Sequence, residues 1–144
     1  MSARKKPVAS TRVTSPAEIA PGVFVGGWKD AARFDGTRFC VLDKPPEDMP
    51  AGTHVRIYDE ASDRADRANL DRLAKAIDAA RSKGGPVIVF CGHGVRRSPL
   101  AAAWYLHRSE QISLDAAYER IRAVRPQIET AAEWIGHVEN LTEP

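Results

Sequence analysis

Residues 87–99 read Val-Ile-Val-Phe-Cys-Gly-His-Gly-Val-Arg-Arg-Ser-Pro and follow the breakers Gly84, Gly85 and Pro86. The apolar run of residues 87–90 has no polar interruption, the pattern of a central strand covered on both faces. Ser98 can cap a helix and Pro99 can occupy its first turn. A buried strand that passes through a short glycine-bearing loop straight into a helix restricts the chain to an α/β architecture. The expected fold is a central, mostly parallel sheet flanked by helices, with the loop at the carboxyl end of its middle strand.

Such a loop suits an anion. Its N–H groups can converge on phosphate oxygens, the helix start adds the positive end of its dipole, and Arg97 supplies a planar fork for two oxygens. The same field favours a thiolate at Cys91, whereas a free thiol, with pKa about 8.5, is only a few per cent ionised at pH 7. Gly94, Arg97 and Ser98 fall at these places after a given cysteine by chance about once in a thousand trials. The plainer alternative, an inert thiol at a strand end, accounts for Cys91 but not for its neighbours.

The rest of the chain fits the same architecture. Short apolar runs at residues 22–25, 38–42 and 54–58 read as strands, the first closed by Gly26 and Gly27. Leu70, Leu73, Ala74, Ile77 and Ala80 recur at helical spacing within residues 65–83. After the loop, a helix is expected to about His107, then one from Ser113 to Val124 stopped by Pro126. Thr130 and Glu133 have capping-box spacing for a last helix through Trp134, Ile135 and Val138. One domain over residues 17–144 is expected, preceded by a basic, disordered tail of residues 1–16 in which Arg4, Lys5, Lys6 and Arg12 come before the first acid, Glu18.

With 21 Lys and Arg against 19 Asp and Glu, the net charge of +2 does not by itself point to nucleic acid. No apolar stretch follows residues 4–6, so neither a signal peptide nor a membrane span is expected and a cytoplasmic location is. Cys40 and Cys91 are the only cysteines and form no Cys-x-x-Cys or metal-ligand pattern. That argues against a disulfide scaffold and against a zinc site.

A phosphate monoester needs its leaving oxygen protonated, and a positioned acid contributes about 10²- to 10⁴-fold in rate. Upstream candidates are Asp43, Asp48, Asp59, Asp63 and Asp66. Asp59 is best placed, because it ends an expected strand and so would share a sheet rim with Cys91, where α/β sites form. Asp63 is the runner-up on the same loop.

These residues resemble the cysteine-dependent dual-specificity branch of the protein tyrosine phosphatases, whose motif is Cys-x-x-Gly-x-x-Arg-Ser/Thr at a strand-to-helix loop. Asp59 lies 32 positions before Cys91, as the acid does in that family, and Arg125, Pro126, Ile128 and Trp134 resemble its closing segment. Phe90 stands where the family usually has His, and Ala131 where many members have Asn. The resemblance implies a dual-specificity phosphatase-like fold and two-step hydrolysis without a metal or other cofactor. Cys91 would be the nucleophile and Asp59 the acid and then the base. Ser98 would hydrogen-bond the sulfur. Arg97 and the backbone of Gly92, His93, Gly94, Val95 and Arg96 would hold the phosphoryl oxygens.

A monomer is expected, and the resemblance implies a phosphorylated protein or another phosphomonoester as its partner. His93 and Arg96 at the loop leave a second class open, non-protein substrates such as RNA 5′-triphosphate ends, phosphoinositides or small phosphoesters. Nucleic acid is a partner only under that alternative. A non-catalytic phosphate-binding module is a third reading, but it has no need of Cys91 or Asp59. Tyr58 and Trp28 are candidate walls for an aromatic phosphoester, with a core role expected for each, and Cys40 is expected to be inert core rather than a disulfide partner for Cys91.

Overall fold

Val87–Cys91 lies in the middle of the sheet and is buried along its whole length, as its unbroken apolar sequence requires. The computed structural model describes residues 16–45, 47–48 and 51–135; the expected tail, up to residue 15, lies outside them. Among the described residues the order is β1 (Ala17–Ala20), β2 (Val23–Gly27), α1 (Trp28–Ala32), β3 (Thr37–Cys40), β4 (Thr53–His54), β5 (Tyr58–Asp59), β6 (Arg64–Ala65), α2 (Arg67–Ser82), β7 (Val87–Cys91), α3 (Arg97–Glu110) and α4 (Leu114–Val124), then a 3₁₀ turn, Ala132–Trp134. The main sheet runs β1-β2-β7-β3-β4. β2, β7, β3 and β4 are parallel, and β1 is antiparallel at one edge.

Alternation along β7 divides the core into two layers. Val87, Val89 and Cys91 face a large layer that includes Leu70, Leu73, Ile77, Leu100, Leu106 and Ile121 from α2, α3 and α4. Ile88 and Phe90 face a small one with Ala31 and Cys40, edged by Phe24, Trp28 and Phe34. Phe90 therefore fills space on the face of β7 opposite the Cys91 side chain. Cys40 also faces this small layer, so it and Cys91 lie on opposite faces of adjacent strands, and burial pushes the Cys40 thiol pKa up. The inert role expected of Cys40 matches this placement.

The helices start where their capping residues allow. Asp66 accepts from the Asn69 N–H at 3.0 Å to start α2, and Ser113 accepts from the Ala116 N–H at 3.0 Å to start α4. α3 begins at Arg97 with Arg96 at its cap position, so Ser98 lies inside the first turn and its hydroxyl is not used as a cap. Residues 98–107 of α3 are all buried, and α3 packs against α2, α4 and β7.

Two elements differ from expectation. Residues 54–58 do not form one strand: the chain leaves the main sheet after His54, and Tyr58–Asp59 pairs instead with Arg64–Ala65 in a separate two-stranded ribbon. The polar stretch of residues 59–64 turns back on itself there, with Asp63 in the left-handed region at φ 56°. Asp59 therefore does not end a strand of the main sheet. Within the described residues the expected last helix shows a 3₁₀ turn over Ala132–Trp134, and residues 136–138 lie outside them. No helix among the described residues is long and apolar enough to cross a membrane.

Because Phe90 is wholly enclosed in the small layer, Phe90→Ala is expected to lower stability by about 3–5 kcal/mol, read from the urea midpoint.

Candidate active site

The loop that joins β7 to α3 is held by its carbonyl groups. The Gly92 carbonyl accepts from the Trp28 N–H at 3.2 Å, the Val95 carbonyl from the Glu129 N–H at 2.8 Å, and the Arg96 carbonyl from the Leu100 N–H at 3.2 Å. Arg125 serves the two between: its Nε donates to the Gly94 carbonyl at 2.8 Å and its terminal nitrogen to the His93 carbonyl at 3.2 Å. All five carbonyls of residues 92–96 are thus engaged by the surrounding scaffold. Among the described residues no acceptor takes up the N–H groups of residues 93–96. A loop with its acceptors used and its donors unused has the polarity that suits an anion.

Close packing beneath the loop requires glycine at two places. Gly94 has φ 69°, and a Cβ there would lie 2.5 Å from the Gly26 carbonyl carbon and 2.6 Å from the Arg125 guanidinium. A Cβ on Gly27 would meet the Gly92 carbonyl oxygen at 2.8 Å. The Gly26-Gly27 end of β2 is therefore the floor on which the loop rests.

Cys91 ends β7 with 5% of its surface exposed. Its Sγ lies 3.3 Å from the Ser98 hydroxyl and receives the Ser98 N–H at 3.4 Å. The same hydroxyl donates to the Gly26 carbonyl at 3.1 Å. It has one proton, so with that proton on Gly26 it can accept from a Cys91 thiol. Once the sulfur is ionised, the hydroxyl can turn to donate to it. Ser98 thereby accommodates both charge states of the sulfur.

A cavity of about 310 Å³ opens above Cys91, lined by loop residues other than Gly94 and Ser98 together with Leu42 and Trp134. Beside it the side chains stack in layers. The Arg97 guanidinium carbon is 5.3 Å from the Tyr58 ring centre, Tyr58 and Trp134 are 4.0 Å apart centre to centre, and Arg96 lies over Trp134 at 4.6 Å. Arg96 also pairs with Glu133, so its charge is already engaged, while His93 is exposed at the rim. Tyr58 has the expected core position, and Trp28 serves the loop through its backbone rather than as a wall. Tyr58 donates to Asp63 at 2.5 Å, and that bond, then burial, pushes its pKa up.

The structure joins Cys91, Arg97, Ser98 and residues 92–96 at one loop, and Asp59 is not among the residues that line its cavity. The Asp59 carboxylate is held by Arg56 at 3.1 Å, the Ala61 N–H at 3.1 Å and the Ser62 hydroxyl at 3.1 Å. Among the described residues the acid paired with the arginine is Asp43, with Oδ2 at 3.4 Å from the Arg97 terminal nitrogen. Asp48 and Asp66 are apart from the cavity lining, and Asp66 is spent as a cap.

Arg125 carries more of the loop than its sequence position indicated. It is 1% exposed, and Asp30, itself buried, lies 3.9 Å from it while accepting from the Gly27 N–H at 2.9 Å. Burial lowers the Arg125 pKa, and the nearby Asp30 and Cys91 oppose that shift. No periodicity marks a residue 34 positions after Cys91 as its support; the trace in the sequence was the Arg125-Pro126 pair that resembles the family's closing segment, just past the end of α4.

The family model for the catalytic domain of dual specificity phosphatases matches residues 48–143. The chain belongs to that family. It is similar to dual specificity protein phosphatase 12 of Rattus norvegicus, 30% identical over 134 residues that cover 79% of this chain and 39% of that protein. With the mouse and human counterparts included, it spans 36% to 43% of these relatives' length. Among solved structures, human DUSP28 superposes with a TM-score of 0.69 at 23% identity, covering 83% of this chain and 94% of that one. A mouse putative dual specificity phosphatase complexed with zinc tungstate gives 0.64 at 25% identity, covering 80% and 78%.

Arg125→Met leaves Asp30 buried beside no cation and is expected to cost about 3–5 kcal/mol of stability. Arg125→Lys, whose point charge cannot fork to two carbonyls, is expected to fall between. Urea unfolding of the three proteins gives the ranking.

Proposed function

We propose that the protein is a phosphoric monoester hydrolase acting on phosphorylated protein through a phosphocysteine intermediate. The observation that carries this reading is the outward engagement of all five carbonyls of residues 92–96 around the buried Cys91 sulfur. It leaves N–H dipoles for three equatorial phosphoryl oxygens, at no reorganisation cost during the reaction. Arg97 adds its fork. The tungstate of the mouse relative is a tetrahedral oxyanion of the kind such a loop would hold.

In the first step the Cys91 thiolate attacks phosphorus, the bond to the leaving oxygen breaks, and Asp59 gives that oxygen its proton. In the second, the Asp59 carboxylate takes a proton from water as the water oxygen bonds phosphorus, and the sulfur–phosphorus bond returns its electrons to Cys91. Ser98, already beside the sulfur, stabilises the departing thiolate. Asp59 must turn from Arg56 and Ser62 toward the cavity mouth, a rearrangement that apo sites commonly leave to substrate binding.

The apolar walls at Leu42, Val95 and Trp134 suit the stem of a phosphorylated side chain. Arg96, spent on Glu133 and Trp134, offers little to the further phosphates of an RNA 5′-triphosphate end. The reading takes residues 17–144 as one catalytic domain, monomeric, without a resident cofactor, in a reducing cytoplasm that keeps Cys91 a thiol.

An aryl phosphate should be hydrolysed in the presence of chelator, and Cys91→Ser should abolish turnover. Near-normal turnover in that variant would sink the mechanism. Asp59→Ala should slow the reaction by about 10²- to 10⁴-fold and Asp63→Ala much less; the reverse order would move the acid to Asp63. A panel of phosphotyrosine and phosphothreonine peptides, phosphoinositide and triphosphate-ended RNA should favour the peptides.

A further inference from the structure

Arg97 already faces an anion of its own protein. Asp43, on the turn after β3 and next to the cavity residue Leu42, sets Oδ2 3.4 Å from the Arg97 terminal nitrogen, with the two side chains 26% and 30% exposed. On each side of this contact one polar atom is shut from solvent without a hydrogen-bond partner, Oδ1 of Asp43 and Nε of Arg97. Satisfying both charged groups would require several further hydrogen bonds, so the pair is incomplete. The Tyr58 ring occupies the neighbourhood of the guanidinium as well.

A phosphoryl group bound in the loop would compete with Asp43 for the Arg97 fork. It would also place its oxygens within two hydrogen-bond lengths of the Asp43 carboxylate, without offering that carboxylate a donor. Accordingly, we propose that Asp43 is a built-in competing anion, a specificity-determining residue that lowers the affinity of the loop for phosphoryl dianions. This rests on the reading of residues 91–98 as the phosphate site. The chemical consequence is weaker retention of the product, inorganic phosphate, and a penalty on any ligand that binds by charge alone. Substrates must then add contacts to the cavity walls, which selects phosphoesters with an organic stem.

The effect acts through charge, so salt and an isosteric amide both report on it. Inorganic phosphate is titrated calorimetrically into the full chain carrying Cys91→Ser, with and without Asp43→Asn, at alkaline pH where phosphate is a dianion. A like charge this close in a partly screened site is worth on the order of tenfold in affinity, so Asp43→Asn should tighten binding by about that factor. The gain should shrink near 1 M salt, where the Debye length falls to about 3 Å from about 10 Å at 0.1 M. Unchanged or weaker binding in Asp43→Asn overturns the proposal, and so does a gain that molar salt leaves intact. Asp43→Ser provides the same comparison if the amide variant folds poorly. Arg97→Ala in the same background separates the two levels: if it binds phosphate as well as its parent, the phosphate site itself has been misplaced, whatever Asp43 does.

Discussion

Five carbonyl groups, those of residues 92–96, govern the molecule, because a loop of that length can present its N–H groups to one point only if its oxygens are held elsewhere. An unpaired buried carbonyl costs about as much as a lost hydrogen bond, so each oxygen must find a donor in the scaffold. Those donors come from four separate places: the start of α1, the first turn of α3, the segment after α4, and Arg125. Their convergence sets how β2, α1 and α4 sit around β7. The fold can be read as the means of bringing four donors to one loop.

Arg125 is the most consequential of them. Taking a guanidinium into the core is costly unless its protons are met, and here two loop carbonyls and the nearby Asp30 meet them. The same arrangement ties α1, which carries Asp30, to the C-terminal end of α4, beside which Arg125 lies. Glycine at 27 and 94 is what lets these backbones approach closely enough for the bonds to form. Loop geometry, helix placement and glycine content are one constraint seen from three sides.

Most of the central architecture was legible because it depends on short-range pattern. The apolar run of β7, the heptad-like stripe of α2 and the Ser113 cap each declare themselves within a few residues. Cys91, Arg97 and Ser98 were legible for the same reason, since one loop holds them all. Asp59 was legible as a residue but not as a position. Its strand joins a two-stranded ribbon off the main sheet, a pairing decided by the turn through Asp63 rather than by alternation in residues 54–58. Asp43 was one acid among several upstream, with nothing to distinguish it until the chain brought it to Arg97.

The α/β class, the central strand and the chemical identity of the loop follow from residues close together in the chain, because covalent neighbours carry all of that information. What holds the loop and what faces its arginine came from the folded arrangement alone. Arg125 reaches His93 and Gly94 across 32 and 31 residues, and Asp43 meets Arg97 across 54. Contacts at such separations leave no periodicity or spacing to read; they exist because burial of two apolar layers against one sheet folds these segments onto the same end of β7.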